Sequence, residues 1–381
     1  MQRFTIDVPE AVLADLRQRL AGTRFPDQLE NAGWSDGTEL GYLRELVEYW
    51  RDVYDWRAHE RALNRHAHWL ADLHGLRLHF VHARSPEPDA LPLLLTHGWP
   101  GSVYEFHKVI GPLTDPVAHG GRREDAFHVV CPSLPGYGWS EAPRRPGFDV
   151  LEVAACCAEL MARLGYTRYG AQGGDWGAIS TAWLGRIDAA HLVGIHLNMV
   201  AAGPPAGVAD PMAGVSAEEQ GWLGEMAAFQ QDGTGYQRIQ GTRPQTLGYA
   251  LNDSPAGLAA WIVEKFQGWS DCGGRVESRF SKDELLTNVM IYWVTGSITS
   301  SMRLYRETMR SGRFGPVQGR VEVPTAGAIF RRDLYKAPRR WAEAAFNLRR
   351  WSVFPTGGHF AALEEPALLV DDVRAFFREL R

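Results

Sequence analysis

The chain has little cysteine: 4 residues in 381. None of Cys131, Cys156, Cys157 and Cys272 forms a C-x-x-C pair. Cys156 and Cys157 are neighbours on a helical pattern, so their side chains diverge and cannot bridge. A disulfide scaffold is excluded, and the pattern suits a reducing, cytoplasmic setting. Long hydrophobic runs are also missing. Leu91–Leu95 is strand-length, far short of the ~20 residues that span a bilayer. The opening MQRFTIDVPE lacks the basic start and apolar run of a secretory signal. Positive charge is not in excess: 40 Lys+Arg face 45 Asp+Glu, for a formal charge of −5. A nucleic-acid partner is therefore not expected. There is no G-x-G-x-x-G, no G-x-x-x-x-G-K-[ST] and no H-E-x-x-H. His66 with His68, and His79 with His82, lack nearby acidic partners. Neither a metal nor an organic cofactor is expected.

What remains is ordinary globular material with two large counts. Apolar residues make up 45% and charged residues 22%, enough for a sizeable core. There are 40 glycines and 14 tryptophans, which predict many tight turns and either a heavy core or an aromatic pocket. Residues 1–75 read as a helical, aromatic-rich extension, with helices from Glu10 to Leu20 and from about Thr38 to Trp56. Short strands follow at Leu76–His82, Leu93–Thr96, Phe127–Cys131, Tyr166–Ala171, Leu192–Leu197, Thr325–Phe330 and Trp351–Phe354. Helical patterns alternate with them at Val150–Leu164, Trp176–Arg186 and Pro366–Leu380. This order predicts an α/β fold with a mostly parallel sheet flanked by helices. Residues 76–200 and 321–381 supply the two parts of that core. Residues 201–320 interrupt it as a helical cap, in which a Ser281-x-x-Glu284 capping box opens a long helix through about Met309.

Three Gly-rich motifs sit where chemistry is expected. Gly173-Gly174-Asp175-Trp176-Gly177 follows a strand and opens a helix. It has the form of a G-x-S-x-G nucleophile elbow with Asp in place of Ser. A carboxylate held on such a turn can attack carbon and form an ester. The plainer alternative is that Asp175 caps the helix. His97-Gly98-Trp99-Pro100-Gly101-Ser102 follows an earlier strand, where a fold with a nucleophile elbow would place one oxyanion-hole N–H. That assigns the backbone N–H groups of Trp99 and Trp176, with Trp99, Trp176 and Pro100 also facing substrate. A simple Pro-Gly turn is the alternative. Thr356-Gly357-Gly358-His359-Phe360 follows the last strand, so the order nucleophile, acid, His places His359 as base. Asp333, after the preceding strand, is the candidate acid, although an Asp beside Arg331 and Arg332 needs no such role. Gly138-Trp139-Ser140-Glu141-Ala142 ends in Ala and opens no clear helix, so it is discounted.

Together these strings resemble the epoxide hydrolases of the α/β-hydrolase superfamily, in the microsomal-type branch with a helical N-terminal extension. Further matching strings are Pro135-Gly136-Tyr137-Gly138, Gly357-Gly358-His359-Phe360-Ala361-Ala362, Ala250-Leu251-Asn252-Asp253-Ser254-Pro255 and Leu285-Leu286-Thr287-Asn288-Val289. The resemblance covers nearly the whole chain. It implies a covalent mechanism: Asp175 attacks an epoxide carbon, and His359, oriented by Asp333, activates water to release a vicinal diol. It implies two cap tyrosines on the epoxide oxygen, which fall on Tyr236 and Tyr305 rather than on Tyr249 or Tyr292. Vertebrate membrane-bound relatives carry an anchor helix before this extension, so no membrane anchor is expected here. The expected partners are a small-molecule epoxide and water, and a homo-oligomer is compatible with the chain. A haloalkane-type dehalogenase using the same Asp, with the Trp176 indole on the halide, is the alternative enzyme. A non-catalytic hydrolase-fold binding protein is the third class. Cap aromatics Trp222, Phe229, Trp261, Phe266 and Trp269 suggest a bulky aromatic or natural-product epoxide, in keeping with secondary metabolism. Helix packing accounts for them equally.

Overall fold

A computed structural model describes all residues, Met1–Arg381. One nine-stranded sheet organises the chain. Its strands are β1 (Gln2–Phe4), β2 (His68–Leu73), β3 (Leu76–Ala83), β4 (Leu91–Thr96), β5 (Phe127–Pro132), β6 (Tyr169–Gly173), β7 (Leu192–Leu197), β8 (Val321–Phe330) and β9 (Phe346–Phe354). Their spatial order is β1-β2-β3-β5-β4-β6-β7-β8-β9. The first three strands and β5 pair antiparallel, and the rest are parallel. The central strands β4, β5 and β6 are almost wholly buried, as continuous apolar runs in a parallel sheet should be. In the β4–β6 register Thr96 lies opposite Gly173. The two loops that leave these strand ends, carrying Trp99 and Asp175, are therefore neighbours.

The sequence reading missed β1 and β2, both within residues 1–75. Strand β2 joins β3 through His74 and Gly75, both with positive φ (53° and 77°), a two-residue hairpin. The helix expected from Thr38 to Trp56 runs over Leu40–Asp52, and a further helix, Trp56–Leu63, begins where it was expected to end. The Glu39 carboxylate caps the first by accepting from the N–H groups of Gly41 and Tyr42. The long cap helix expected through Met309 is also two, Lys282–Thr295 and Ile298–Arg310. Gly296 ends the first in the left-handed region, at φ 61°, a conformation cheap only for glycine.

The N-terminal helices rest on the cap. Tyr49 donates to the Asp283 carboxylate at 2.9 Å, and the Tyr54 and Thr287 hydroxyls lie 2.9 Å apart. The cap helix in turn clamps the loop after β4. Asn288 donates to the Pro100 carbonyl at 2.8 Å and accepts from Ser102 at 2.8 Å, and Tyr292 donates to the Gly101 carbonyl at 2.6 Å. Asn288 is 1% exposed, so both bonds form out of water. No helix is long and apolar enough to cross a membrane.

Candidate active site

Asp175 sits between β6 and the helix Trp176–Ile187 with φ 51° and ψ −126°. A non-glycine residue there carries a strain of order 1–3 kcal/mol, sustained only by the packing around it. That packing is visible. A Cβ on Gly177 would overlap the Thr96 carbonyl, and one on Gly98 would overlap the Asp175 carboxylate itself. The glycines of both motifs thus let two loops approach backbone to side chain. Asp175 makes no side-chain bond to the helix it precedes, which removes the capping alternative.

The Trp99 N–H donates to Asp175 Oδ1 at 2.7 Å. Trp176 opens the helix directly after Asp175, so its N–H is one of the free donors of a helix start. His359 Nε2 lies 3.5 Å from Asp175 Oδ2, and its Nδ1–H donates to Asp333 Oδ1 at 2.8 Å. The His359 backbone N–H is fixed by the Trp269 carbonyl at 2.9 Å. His359 and Asp333 are each 5% exposed. Burial opposes protonation of this imidazole, but the hydrogen bonds and charges of Asp175 and Asp333 outweigh it and hold the pKa up at about 10. A second buried pair, His196 with Asp372 at 2.9 Å, bridges the sheet to the final helix.

Asp175 borders two spaces. One is a chamber of about 10 Å³ shared with His359, Trp99, Gln172 and Glu105, room for roughly one water. Gln172 Oε1, on a residue that lines it, has no protein partner. The other is a cavity of about 340 Å³ beneath the cap, in which 14 of 21 lining residues are hydrophobic, so its occupant must be largely apolar. Tyr236 and Tyr305 both line it. Their rings lie 5.8 Å apart at 79°, and Tyr236 stacks on Trp99 at 5.2 Å. Burial first, and then the Asp175 charge among other nearby groups, holds both phenols well above their ordinary pKa, so both keep their protons. Tyr249 is 72% exposed, and Tyr292 is committed to the Gly101 carbonyl, so neither competes.

Some expected residues lie elsewhere. Trp176 lines the apolar cavity, Trp99 lines the small chamber, and Pro100 lines neither. None of the cap aromatics Trp222, Phe229, Trp261, Phe266 and Trp269 lines the cavity. Phe266 stacks on Phe360 at 4.0 Å, and Trp269 meets His359 edge-on at 5.2 Å, so they pack the cap onto the His359 loop. Sequence reasoning missed two polar residues. Gln237 Nε2 donates to the Tyr236 hydroxyl at 3.0 Å, which fills a lone pair and leaves the phenol proton free for a ligand. Its only sequence signal is adjacency to Tyr236. Glu105 encloses one side of the small chamber, and burial pulls its carboxyl up to about 8. It lies within the Ser102-capped turn Val103–Phe106 after β4, a position with no motif of its own. No three His, Cys, Asp or Glu side chains gather where a metal ion could sit.

The family description "Epoxide hydrolase N terminus" matches residues 1–106, and "alpha/beta hydrolase fold" matches 92–296. A Stigmatella aurantiaca protein bearing an epoxide hydrolase name is 50% identical over 99% of this chain and 85% of its own length. The chain belongs to the epoxide hydrolases. Epoxide hydrolase 1 of Sus scrofa is 37% identical over 98% of this chain and 87% of its own. The crystal structure of juvenile hormone epoxide hydrolase from the silkworm Bombyx mori superposes with a TM-score of 0.92 at 35% identity, covering 100% of this chain and 94% of that one. This epoxide hydrolase therefore has the mostly parallel sheet expected from its strand–helix order and the α/β-hydrolase fold implied by the resemblance. The family also decides against the dehalogenase and non-catalytic alternatives.

Proposed function

We propose that this enzyme hydrolyses a bulky, largely apolar epoxide to a vicinal diol through an ester on Asp175. The observation that carries the assignment is the placement of one strained carboxylate between a water-sized chamber holding His359 and an apolar cavity holding two protonated tyrosines. Tyr236 and Tyr305 donate hydrogen bonds to the epoxide oxygen. Asp175 Oδ attacks a ring carbon, the strained C–O bond breaks, and the departing oxygen takes a phenol proton. The ester is neutral, so the charge that helped hold the proton on His359 disappears, and that proton passes to solvent, to be regained from solvent when the Asp175 carboxylate is set free. His359 then accepts a proton from the chamber water, which adds to the ester carbonyl carbon. The Trp99 and Trp176 N–H groups stabilise the resulting oxyanion, a role in which one donor is worth ~3 kcal/mol, and its collapse breaks the ester C–O bond and releases the diol, whose departing oxygen takes the proton from His359.

The apolar cavity supports an aromatic or polycyclic natural-product epoxide as substrate. The contacts come from Trp176, Ile179, Met199, Phe314, Leu334 and Trp341 rather than from the cap aromatics named above. We take residues 1–75 as the extension and 201–320 as the cap. Four free, buried cysteines suit a cytoplasmic setting. A His359→Gln variant given excess styrene-type or polycyclic epoxide should gain one substrate mass on the peptide containing Asp175. An Asp175→Asn enzyme that still turned over would overturn the assignment.

A further inference from the structure

Behind the tyrosines lies a buried cation that the mechanism above does not use. Lys265, on the helix Pro255–Trp269, is 6% exposed. Its Nζ stands 4.8 Å from the centre of the Tyr236 ring, 5.4 Å from Trp261 and 5.8 Å from Trp269. Tyr236 is thus held between the indole of Trp99 and an ammonium. Burying an ammonium costs more than burying an alkyl chain of the same length, so packing alone does not explain a lysine here. Glu264 pairs with the ammonium, but its side chain is 31% exposed against 8% for Lys265.

We propose that Lys265 is a positioning residue for ring opening, its ammonium stabilising the phenolate that Tyr236 becomes on giving its proton to the epoxide oxygen. This rests on the assignment of Tyr236 as proton donor. A cation attracts a neutral aromatic ring through its quadrupole and attracts a phenolate more strongly through full charge. The timing follows from Asp175. Its negative charge helps keep the proton on Tyr236 in the free enzyme. Alkylation forms the Asp175 Oδ–carbon bond, breaks the epoxide C–O bond and neutralises that charge, while Lys265 keeps its own. The balance around Tyr236 therefore tips toward release as the alkoxide appears. In the second half-reaction water supplies two protons. One completes the second hydroxyl of the diol, and the other, through His359, returns to Tyr236.

The test is rapid-quench mass spectrometry of single turnovers, which separates ester formation from ester hydrolysis. Lys265→Met should slow ester formation by roughly 10- to 30-fold and leave hydrolysis within about twofold. Lys265→Arg should recover most of the loss. In a Tyr236→Phe background, Lys265→Met should cause no further slowing, because the group it acts through is gone. A purely structural lysine would instead slow both half-reactions, or slow them equally with and without Tyr236. Either result, or ester formation at the wild-type rate in Lys265→Met, overturns the proposal. If Lys265→Met does not fold, Lys265→Gln takes its place with the same expectations. If Tyr236→Phe itself leaves ester formation unchanged, the tyrosine assignment fails, a result distinct from failure of the lysine alone.

Discussion

Replacing Asp333 with Asn should separate the two halves of the reaction. Asp333 Oδ1 and His359 Nδ1 are 2.8 Å apart and buried. A unit charge pair at that distance attracts by about 6 kcal/mol at an effective dielectric of about 20, or roughly four pKa units. Burial works against the imidazolium, so after Asp175 is esterified Asp333 alone supports a proton on His359. An amide there removes the charge. It can also donate to Nδ1 and place the imidazole proton on Nε2, facing the ester, where a base needs a lone pair. Ester hydrolysis should fall by roughly 10²- to 10⁴-fold, the range known for wrong-tautomer variants of hydrolase triads. Ester formation, which needs only Asp175 and the tyrosines, should change by less than about tenfold. Asp333→Asn should therefore accumulate covalent enzyme in the steady state, visible as an intact-mass adduct. Hydrolysis at the wild-type rate, or equal losses in both steps, would refute the assignment of Asp333 to His359.

Three further outcomes follow from the same geometry. Tyr236→Phe with Tyr305→Phe should cut ester formation by roughly 10²- to 10⁴-fold while sparing hydrolysis of pre-formed ester, read by rapid quench. Gly177→Ala should lose at least about 2 kcal/mol of stability in a denaturant melt, since its Cβ would overlap the Thr96 carbonyl, and a neutral result would show the elbow to be looser than described. The third concerns pH. The folded-state pKa of His359, about 10, lies above its ordinary 6.5, so the stability it contributes is complete below about pH 6.5 and is lost as pH rises through about 10. The Tm advantage of wild type over His359→Gln should shrink between pH 6.5 and 10, and a constant or growing advantage would contradict the ion pair.

The sequence was most informative where backbone geometry demands particular residues. Gly98, Gly173 and Gly177 flank Asp175 because any side chain there would collide, so the two loops were visible as Gly-rich strings after apolar runs. His359 and Asp333 were visible by order along parallel strands. Tyr236 and Tyr305 were reached by family resemblance, because helical spacing alone does not say which tyrosine faces a cavity. Strand β2 was hidden because His68–Leu73 mixes polar and apolar residues, and its hairpin turn, His74-Gly75, is a weak signal. The break at Gly296 was hidden because a single glycine inside a helical pattern is often tolerated. The cap aromatics were read as possible substrate contacts because periodicity reports burial, not which neighbour does the burying. Gln237 and Lys265 act through contacts between separate helices and ring faces, and no local pattern records those.

In the ester mechanism the oxygen first added by water enters Asp175, not the product. A single turnover of wild-type enzyme in heavy-oxygen water tests it directly, with the Asp175 peptide and the diol both analysed by mass. Label should enter the Asp175 carboxylate and leave the diol of that first turnover unlabelled, with labelled diol only in later ones. Heavy oxygen in the diol on the first turnover, with Asp175 unlabelled, would contradict it.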